Sequence, residues 1–539
     1  MKANHIISVA QKCANPGKNI FQAPLALKDR IAQMIQRKQR GKLISFDLDH
    51  AFDRVRHSYL YRTMHSLGLN TELVNLLARI SELSSSRILI NGHLSAPFRI
   101  QRSVRQGDPI SMHLFVLFLH PLLRQIEQIC DNDIVVAYAD DISVIVTSRE
   151  KIEAIRDCFS RFERISGAKL NWQKTVSIDV GFIDNNPISV PWLQTENKIK
   201  ILGIIFANSI RLMVKLNWDT MVSKFSQHVW FQSLRSLTLN QKVTVLNTFL
   251  TSKIWYLSSI LTPSCIHTSK LTATMGTFLW NRVPARIPMQ QLARDRDKGG
   301  LGLQLPAIKC KALLITRHVR EIDVMPFYKS LLFPEYAGPM NSPFNFPCLK
   351  LVYQEFSQLP LQIRQSLTSK CLNQHYVDKT EIPRVERNNT GVEWKLCWRN
   401  INMKALGNFH RSSLYMIINE KTDHRNLMRR IGRTDDPRCL HCAVTTETLE
   451  HKFSECIRVA AAWRTLQSEI AVILHGWRRI GFEALLRPEL RRIEKSKKVK
   501  ILKMFSIYIN YINEINGAID INELNFHMMN EVYLFMDCN

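Results

Sequence analysis

The chain has 539 residues, which is too long for one compact core and predicts two to four domains. Hydrophobic residues make up 45% and charged residues 22%, ordinary values for a globular protein, so extensive disorder is not expected. Lys and Arg outnumber Asp and Glu by 73 to 46, a formal net charge of +27. So large a basic excess favours polyanionic partners, of which nucleic acid is the commonest; a basic protein that only needs solubility is the alternative.

The cysteines and the N-terminus indicate neither secretion nor membrane insertion. The twelve Cys are scattered, apart from Cys439 and Cys442, so the pattern is not a secreted disulfide framework. The first residues lack the apolar core and small-residue cleavage site of a signal peptide. The most apolar run, residues 112–123, is too short to span a bilayer. We therefore expect a protein of the nucleus or cytoplasm, neither secreted nor in a membrane.

The first elements are predicted from apolar spacing. Residues 43–48 form a short apolar run that contains Asp47, which predicts a buried strand ending at a functional carboxylate. Two helices follow, one over residues 60–67 that stops at Gly68, and one with an apolar stripe over residues 73–83. A hairpin is then predicted at the Asn-Gly pair of residues 91–92.

Asp108 and Pro109 stand where an N-cap and a first helical residue are expected, opening an apolar helix to about Ile129. Two β-branched runs, residues 134–137 and 142–146, predict a strand hairpin with acids near its bend, and a helix closed by Gly167 follows. This order predicts an α+β fold with a split βαβ sheet backed by helices. Beyond about residue 206 the pattern is helical and rich in Trp, with Pro-containing loops near residues 326–348.

The adjacent acids Asp140 and Asp141 need an explanation, because burial and mutual repulsion both disfavour ionisation. An Asp-Asp pair alone is more often a solvated bend. Divalent cations bridged by carboxylates and substrate phosphates are the alternative, and Mg²⁺ suits a site of a few carboxylates, phosphates and water.

Several motifs in order resemble the palm motifs of reverse transcriptases. They are FDLDHAFD at residues 46–53, RQGDPIS at 105–111, YADD at 138–141, SGAKLN at 166–171 with Lys174, and KILG at 200–203, the last resembling the strand at the primer grip. Non-LTR (LINE-type) retrotransposon enzymes are the most similar branch. Trp280 in FLWN, GGLGL at residues 299–303 and the Cys and His residues near the C-terminus resemble the thumb and zinc-binding tail of that branch.

The resemblance implies a domain order and a set of site residues. A right-hand polymerase palm, a helical thumb and a small C-terminal zinc-binding module are expected. The implied segments are residual fingers at 1–42, palm at 43–206, thumb at 207–315, a mainly helical connection at 316–430, a zinc-binding module at 431–480 and a basic helical tail at 481–539. The implied metal-binding acids are Asp47, Asp140 and Asp141.

The other implied residues contact substrate. Phe52 would be the steric gate that disfavours a 2′-hydroxyl, while Gln106 and Gly107 would line the nucleotide and template site. Arg105 and Lys174 would contact phosphate or template. The implied activity is RNA-directed DNA synthesis with two catalytic Mg²⁺ ions, an RNA template, a DNA primer or target, and dNTPs. Asp49 and Asp53 are interpreted as structural acids at a helix N-terminus.

Four residues near the C-terminus have the spacing of a zinc site, Cys439, Cys442, His451 and Cys456. One tetrahedral structural Zn²⁺ is expected, against the alternative of four unrelated residues. The basic run at residues 491–500 is interpreted either as a phosphate-binding segment or nuclear signal, or as the solvated face of a helix. Trp394 and Trp398, beside Arg399, are candidates for base stacking, although burial is the more frequent role of Trp.

The chain departs from the family pattern at two places. The family motif after the Gln-Gly pair usually reads Cys-Pro-Leu-Ser-Pro, whereas residues 108–112 read DPISM. Residues 15–20 resemble the segment that follows the fingers, which predicts an N-terminally truncated copy or gene model that binds RNA but polymerises poorly. A catalytically inactive RNA-binding remnant is the main alternative. A group II intron maturase is a second one, which GGLGL and the zinc-site pattern disfavour; the oligomeric state is left open.

Overall fold

The computed structural model describes residues 7–131, 133–182, 188–281, 285–321, 347–476, 480–515 and 519–533. The predicted loops near residues 326–348 lie outside these ranges except for their last two residues. Within the ranges, no helix combines the length and the apolar character needed to cross a membrane.

The strands of the described residues all lie in the N-terminal part of the chain. They are β1 (Arg40–Phe46), β2 (Ser85–Ser86), β3 (Leu89–Ile90), β4 (His93–Leu94), β5 (Phe98–Arg99), β6 (Ile134–Tyr138), β7 (Asp141–Val146), β8 (Val176–Gly181), β9 (Gln194–Thr195), β10 (Lys198–Ile201) and β11 (Ile204–Ala207).

The α-helices run from one end of the described chain to the other. They are α1 (Gln22–Gln36), α2 (His57–Ser66), α3 (Thr71–Glu82), α4 (Ser111–Cys130), α5 (Arg149–Ser166), α6 (Ile210–Ser233), α7 (Leu239–Val245), α8 (Ser252–Ser258), α9 (Cys265–Leu279), α10 (Met289–Ala293), α11 (Pro306–Arg320), α12 (Pro347–Ser357), α13 (Leu361–Gln365), α14 (Ser369–Asp378), α15 (Arg384–Asn388), α16 (Trp394–Ile401), α17 (Asn408–Ile418), α18 (Arg425–Arg430), α19 (Ala460–Ile473), α20 (Glu483–Leu486), α21 (Lys495–Glu514) and α22 (Ile521–Tyr533).

The chain divides into two compact units. Unit 1 comprises Met1–Thr220, Leu257–Pro263 and Leu314–Leu359, and unit 2 comprises Met221–Tyr256, Ser264–Leu313 and Pro360–Asn539. Unit 1 holds all the described strands, whereas the described part of unit 2 is helical. The predicted α+β class is confirmed.

Unit 1 is built on a five-stranded sheet in the order β6-β7-β1-β8-β9. Because β1 is antiparallel to both β7 and β8, the last two run parallel with β1 between them. Since β6 is antiparallel to β7, it likewise runs parallel to β1 with β7 between them. Helices connect both pairs, so the sheet is the predicted split βαβ arrangement.

The core of unit 1 lies between this sheet and helices α4 and α5. Alternate residues along β1 and β7 are apolar and point into this core, for example Ile44, Phe46 and Val144. The ring of Phe46 lies 4.7 Å from that of Phe159 on α5, centroid to centroid. Helix α5 ends as predicted, with Gly167 in the left-handed conformation at φ 82°.

One detail of the predicted helices is wrong. Helix α4 begins at Ser111 rather than Pro109, because residues 109 and 110 form a turn in which the Asp108 carboxylate accepts a hydrogen bond from the Ile110 N–H at 3.0 Å. Helix α3 forms where predicted, and Val74 is its one buried residue. Most of its apolar stripe is exposed, and only Leu77 of the stripe packs partly against the core. Apolar spacing identifies residues that share a face, and it cannot tell whether another element covers that face.

In unit 2, the GGLGL segment makes a tight turn against the residues after α10. Gly299 and Gly302 adopt φ values of +78° and +73°, which favour glycine. A Cβ at Gly300 would overlap the backbone of Arg294. Trp398 is 1% exposed and donates a hydrogen bond from Nε1 to Glu386 at 2.7 Å, so burial, the more frequent role, is confirmed for it.

Candidate active site and zinc centre

The sheet register brings two of the three predicted acids together. Phe46 at the end of β1 pairs with Ile142 on β7, so the next residue, Asp47, stands opposite Asp141. Leu48 forms an isolated bridge with Leu170, and the Asn171 N–H donates to the Asp47 carbonyl at 2.7 Å. The SGAKLN segment therefore fixes the backbone at Asp47 and at the residue that follows it.

The third acid, Asp140, lies in the bend between β6 and β7. Tyr138 pairs with Asp141 across this bend, and Ala139 adopts φ +55°. Gln11 holds the strained residue by two hydrogen bonds, since its Nε2 donates to the Ala139 carbonyl at 3.2 Å and its Oε1 accepts from the Ala139 N–H at 3.0 Å. Gln11 is fully buried. It is a positioning residue that the sequence analysis missed, because no motif or spacing marks a single Gln so far along the chain from the acids.

The three carboxylates at the bend interact electrostatically. The pKa of Asp141 is raised from its usual value, first by loss of hydration and then by the negative charges of Asp140 and Asp47. Lys174 Nζ lies 3.9 Å from the Asp47 carboxylate, but both side chains are exposed and the pair is weak. Three hard oxygen donors with little compensating charge are the donor set that Mg²⁺ prefers.

The remaining predicted substrate residues lie in two places in unit 1. The Phe52 ring stacks on Phe115 of α4, with centroids 4.4 Å apart and planes at 17°. Phe52 is half-buried, and its carbonyl accepts from the Val104 N–H at 3.0 Å. This hydrogen bond joins the segment after Asp47 to the segment that leads into RQGDPIS.

Residues Arg105, Gln106 and Gly107 form an exposed turn just before α4. Gly107 adopts φ +90°, and a Cβ there would meet nothing within 4 Å. Backbone conformation, rather than crowding within the chain, therefore requires glycine at this position. The turn leaves the side chains of Arg105 and Gln106 and the backbone of Gly107 accessible to a ligand.

The acids Asp49 and Asp53 do not lie at a helix N-terminus as predicted. Helix α2 begins at His57 and has no acidic residue in its first turn. Asp49 instead accepts from the Arg54 guanidinium at 2.6 Å, which lowers the pKa of Asp49. Asp53 is exposed and lies 3.9 Å from the His50 ring.

The four predicted zinc ligands come together in unit 2. Their ligand atoms all lie within 4.8 Å of one another. The Cys439 and Cys456 sulfurs are 3.8 Å apart, and the Cys442 sulfur is 3.4 Å from His451 Nε2. A tetrahedral Zn²⁺ with bonds of about 2.3 Å to sulfur separates two sulfurs by about 3.8 Å, so the donor set fits zinc.

The surroundings of these four residues also suit a closed structural site. Cys439, His451 and Cys456 are buried, so the cluster is largely shielded from water. Hydrogen bonds from the backbone N–H groups of Thr445 and Val444 lower the pKa of Cys442 to about 6, which favours the thiolate that binds metal. His451 Nδ1 lies 4.0 Å from the Glu455 carboxylate, on the side of the ring away from Cys442.

Comparisons with known proteins agree with this geometry. Residues 3–206 match the family model described as reverse transcriptase (RNA-dependent DNA polymerase). Members of this family use divalent metal ions. Telomerase from Candida albicans, solved with a fragment of telomeric RNA, is a structural neighbour with 13% identity over 69% of this chain and 56% of that one; its TM-score is 0.33, too low to support an argument.

Three curated relatives are proteins of transposable elements. The transposon TX1 uncharacterized 149 kDa protein of Xenopus laevis is 26% identical over 51% of this chain and 22% of its own length. The Pol polyproteins of the R2 retrotransposable elements of Popillia japonica and Drosophila melanogaster are 28% and 25% identical, over 32% and 48% of this chain and 26% of each relative. The matches thus span about a quarter of these three relatives. Residues 3–206 thus match a reverse transcriptase domain, and the chain is similar to proteins of non-LTR retrotransposons.

Proposed function

We propose that the chain is an RNA-directed DNA polymerase of a non-LTR retrotransposon, which adds dNTPs to a DNA primer on an RNA template. The observation that supports this most directly is the convergence of Asp47, Asp140 and Asp141 at one end of the sheet, where the pKa of Asp141 is raised. Paired divalent cations would supply activation of the primer 3′-hydroxyl and neutralisation of the leaving pyrophosphate. Mg²⁺ suits this carboxylate donor set, and we assign two such ions to the three acids.

The chain's own residues bind and orient the substrates in this proposal. The β6–β7 bend holds Asp140 and Asp141 opposite Asp47, and Gln11 fixes that bend. Phe52, braced on Phe115, contacts the sugar of the incoming nucleotide and disfavours a 2′-hydroxyl.

Template and phosphate contacts are assigned to exposed residues near the acids. Gln106 and Gly107 line the nucleotide and template site, while Arg105 and Lys174 contact phosphate. The exposure of all four residues permits such contacts. We also retain the predicted palm, thumb, connection, zinc-binding and tail segments as proposed domains, with a ribonucleoprotein of the nucleus or cytoplasm as the working form.

The zinc cluster has a structural role in this proposal. Cys439, Cys442, His451 and Cys456 would together hold one Zn²⁺, with no ligand position open to substrate. The Zn²⁺ would connect two neighbouring stretches of chain. Cys439 and Cys442 come from the first stretch, and His451 and Cys456 come from the second, which leads into α19.

Primer extension tests the proposed activity. Purified chain is given a DNA primer annealed to an RNA template, dNTPs and Mg²⁺, and is compared with Asp141→Asn and with the control Asp53→Asn, whose side chain is 58% exposed. Extension that is lost in Asp141→Asn and kept in the control supports the polymerase. Binding of primer and template without extension by the wild-type chain would support the inactive remnant, which the family match does not favour.

A further inference from the structure

Unit 2 contains an open cavity of about 1160 Å³ beside the helices that precede the zinc cluster. Its walls come from residues 285–291, 379–388, 419–431, 448–450 and 482–486. None of the individual site residues predicted from the sequence lines it. Its volume is slightly above the usual upper range of about 1000 Å³ for small-molecule sites, which leaves room for a short stretch of polymer.

The charges in this cavity are unbalanced. Six Lys or Arg and four Glu side chains line it. Arg286 pairs with Asp423 at 2.9 Å, and Arg387 pairs with Glu381 at 3.2 Å. Among the residues that the structure describes, no ion pair is recorded for Lys379 or for the three other cations of the lining, Arg384, Lys421 and Arg430. Two acids of the lining, Glu420 and Glu450, also have no ion pair among the described residues, so four such cations face two such acids. The net excess of positive charge in a concave site adds to the positive potential of the chain.

Three of these cations converge from separate segments. Arg384 begins α15, Lys421 follows α17, and Arg430 ends α18. Burial lowers the pKa of Lys421 first, and the charges of Arg384 and Arg430 lower it further, against a smaller opposite effect from Glu420. The folded chain thus holds like charges together, an arrangement that is unfavourable until an anion enters. We call Arg384, Lys421 and Arg430 the cation trio.

We propose that this cavity binds single-stranded nucleic acid, with the cation trio holding the phosphodiester backbone. The lining includes Ile382 and Ile431, which are 47% and 49% exposed and offer apolar contacts to unstacked bases. A flexible single strand can enter a concave site and present phosphates and bases to different walls, whereas a duplex presents its phosphates on a stiff convex surface. RNA and single-stranded DNA share this chemistry. The site does not depend on the proposed polymerase activity, because it lies in unit 2 and involves none of the three acids.

Binding by the full chain tests this site without requiring catalysis. A labelled single-stranded oligoribonucleotide and the matching oligodeoxyribonucleotide are titrated over a salt series. The wild type is compared with Arg384→Gln/Lys421→Gln/Arg430→Gln and with a control that removes the same charge from exposed positions of unit 2 outside the cavity, Lys395→Gln/Lys404→Gln/Arg464→Gln. Oligonucleotides with photoreactive bases are then crosslinked, and the labelled peptides are identified.

The proposal expects the cation-trio variant to bind at least 10-fold more weakly than the control. Its plot of log affinity against log salt should be shallower by about 2, because three lost phosphate contacts each contribute about 0.7 for a single strand. Crosslinks should fall in residues 379–388 and 419–431, with RNA, DNA or both. Equal affinity and slope in the two variants, crosslinks only elsewhere, or equal competition by an acidic peptide of matched charge would overturn it. Melting curves show whether both variants remain folded.

Discussion

The three acids at the end of the sheet should destabilise the metal-free chain and stabilise the metal-bound one. Asp141→Asn removes one negative charge from the group while keeping nearly the same side-chain shape. Asp140 and Asp47 both raise the pKa of Asp141, so two repulsive interactions disappear in the variant. We therefore expect the variant to be more stable than the wild type in chelator and less stable in Mg²⁺.

The size of each effect follows from the surroundings. Asp141 loses part of its hydration but stays exposed, so solvent screens the repulsion. Two screened like-charge interactions amount to about 1 kcal/mol in total. Mg²⁺ at 100 times its dissociation constant adds about 2.7 kcal/mol to the wild type. For a unit of this size, about 1 kcal/mol corresponds to a shift of about 2–4 °C in Tm. The order of the two melting temperatures should therefore reverse between chelator and Mg²⁺.

The pH dependence in chelator gives an independent check. A carboxyl group whose pKa is higher in the folded than in the unfolded chain lowers the free energy of unfolding when the pH is above the folded pKa. This destabilisation disappears as the pH falls below the folded pKa, because the carboxyl group is then protonated. The advantage of Asp141→Asn should thus be largest near neutral pH and shrink in mild acid, because the wild-type carboxyl group is then neutral.

Differential scanning measurements with and without Mg²⁺, at several pH values, make this test. Asp53→Asn serves as the control, because Asp53 is an exposed acid whose charge is not among the causes of the raised pKa of Asp141. Equal Mg²⁺ shifts in the wild type and Asp141→Asn would refute the metal site. A less stable variant in chelator would refute the repulsion.

Three further predictions concern other parts of the chain. Phe52→Val should raise incorporation of ribonucleotides relative to deoxyribonucleotides in matched kinetics, because it removes the ring that contacts the sugar; an unchanged ratio would remove the gate role. Protein purified without chelator should contain one Zn²⁺ per chain by metal analysis and Cys439→Ser/Cys442→Ser should contain none, so that equal zinc in both would exclude the site. Gly300→Ala should destabilise unit 2 by about 1–3 kcal/mol in urea unfolding, because its Cβ would overlap the Arg294 backbone, whereas Gly276→Ala, with open space inside α9, should be neutral or stabilising.

Local patterns in the sequence predicted the elements that carry the acids. These patterns are the apolar run of β1, the β-branched run of β7, the Asn-Gly pair and Gly167. Each acts through neighbouring residues, and the structure has the expected strand, hairpin or helix end at each. The spacing of Cys439 and its partners likewise predicted a cluster that folds within a short stretch of chain. The individual roles of the site residues are still predictions.

Features that depend on distant residues were not predictable in this way. Gln11 reaches the bend at Ala139 across more than a hundred residues, and its hydrogen bonds leave no mark in the sequence near either end. The exposed stripe of α3 shows the same limit, because a periodic pattern is silent about neighbouring elements. Spacing found the zinc ligands but not the cation trio, whose three members come from three helix ends.

The acids of unit 1 and the cation trio of unit 2 illustrate one physical rule with opposite signs. Each group of like charges should lower the stability of the ligand-free chain. Burial is the first cause of the shifted pKa of Asp141 and of Lys421, and the neighbouring like charges shift each pKa further. The sign of the group then specifies the complementary ligand, divalent cations for the acids and phosphates for the cations. Because the two groups belong to different units, Mg²⁺ should act on the melting of unit 1 and single-stranded nucleic acid on that of unit 2. The charge of each group therefore predicts the class of ligand it binds, and these binding predictions can be tested without measuring polymerase activity.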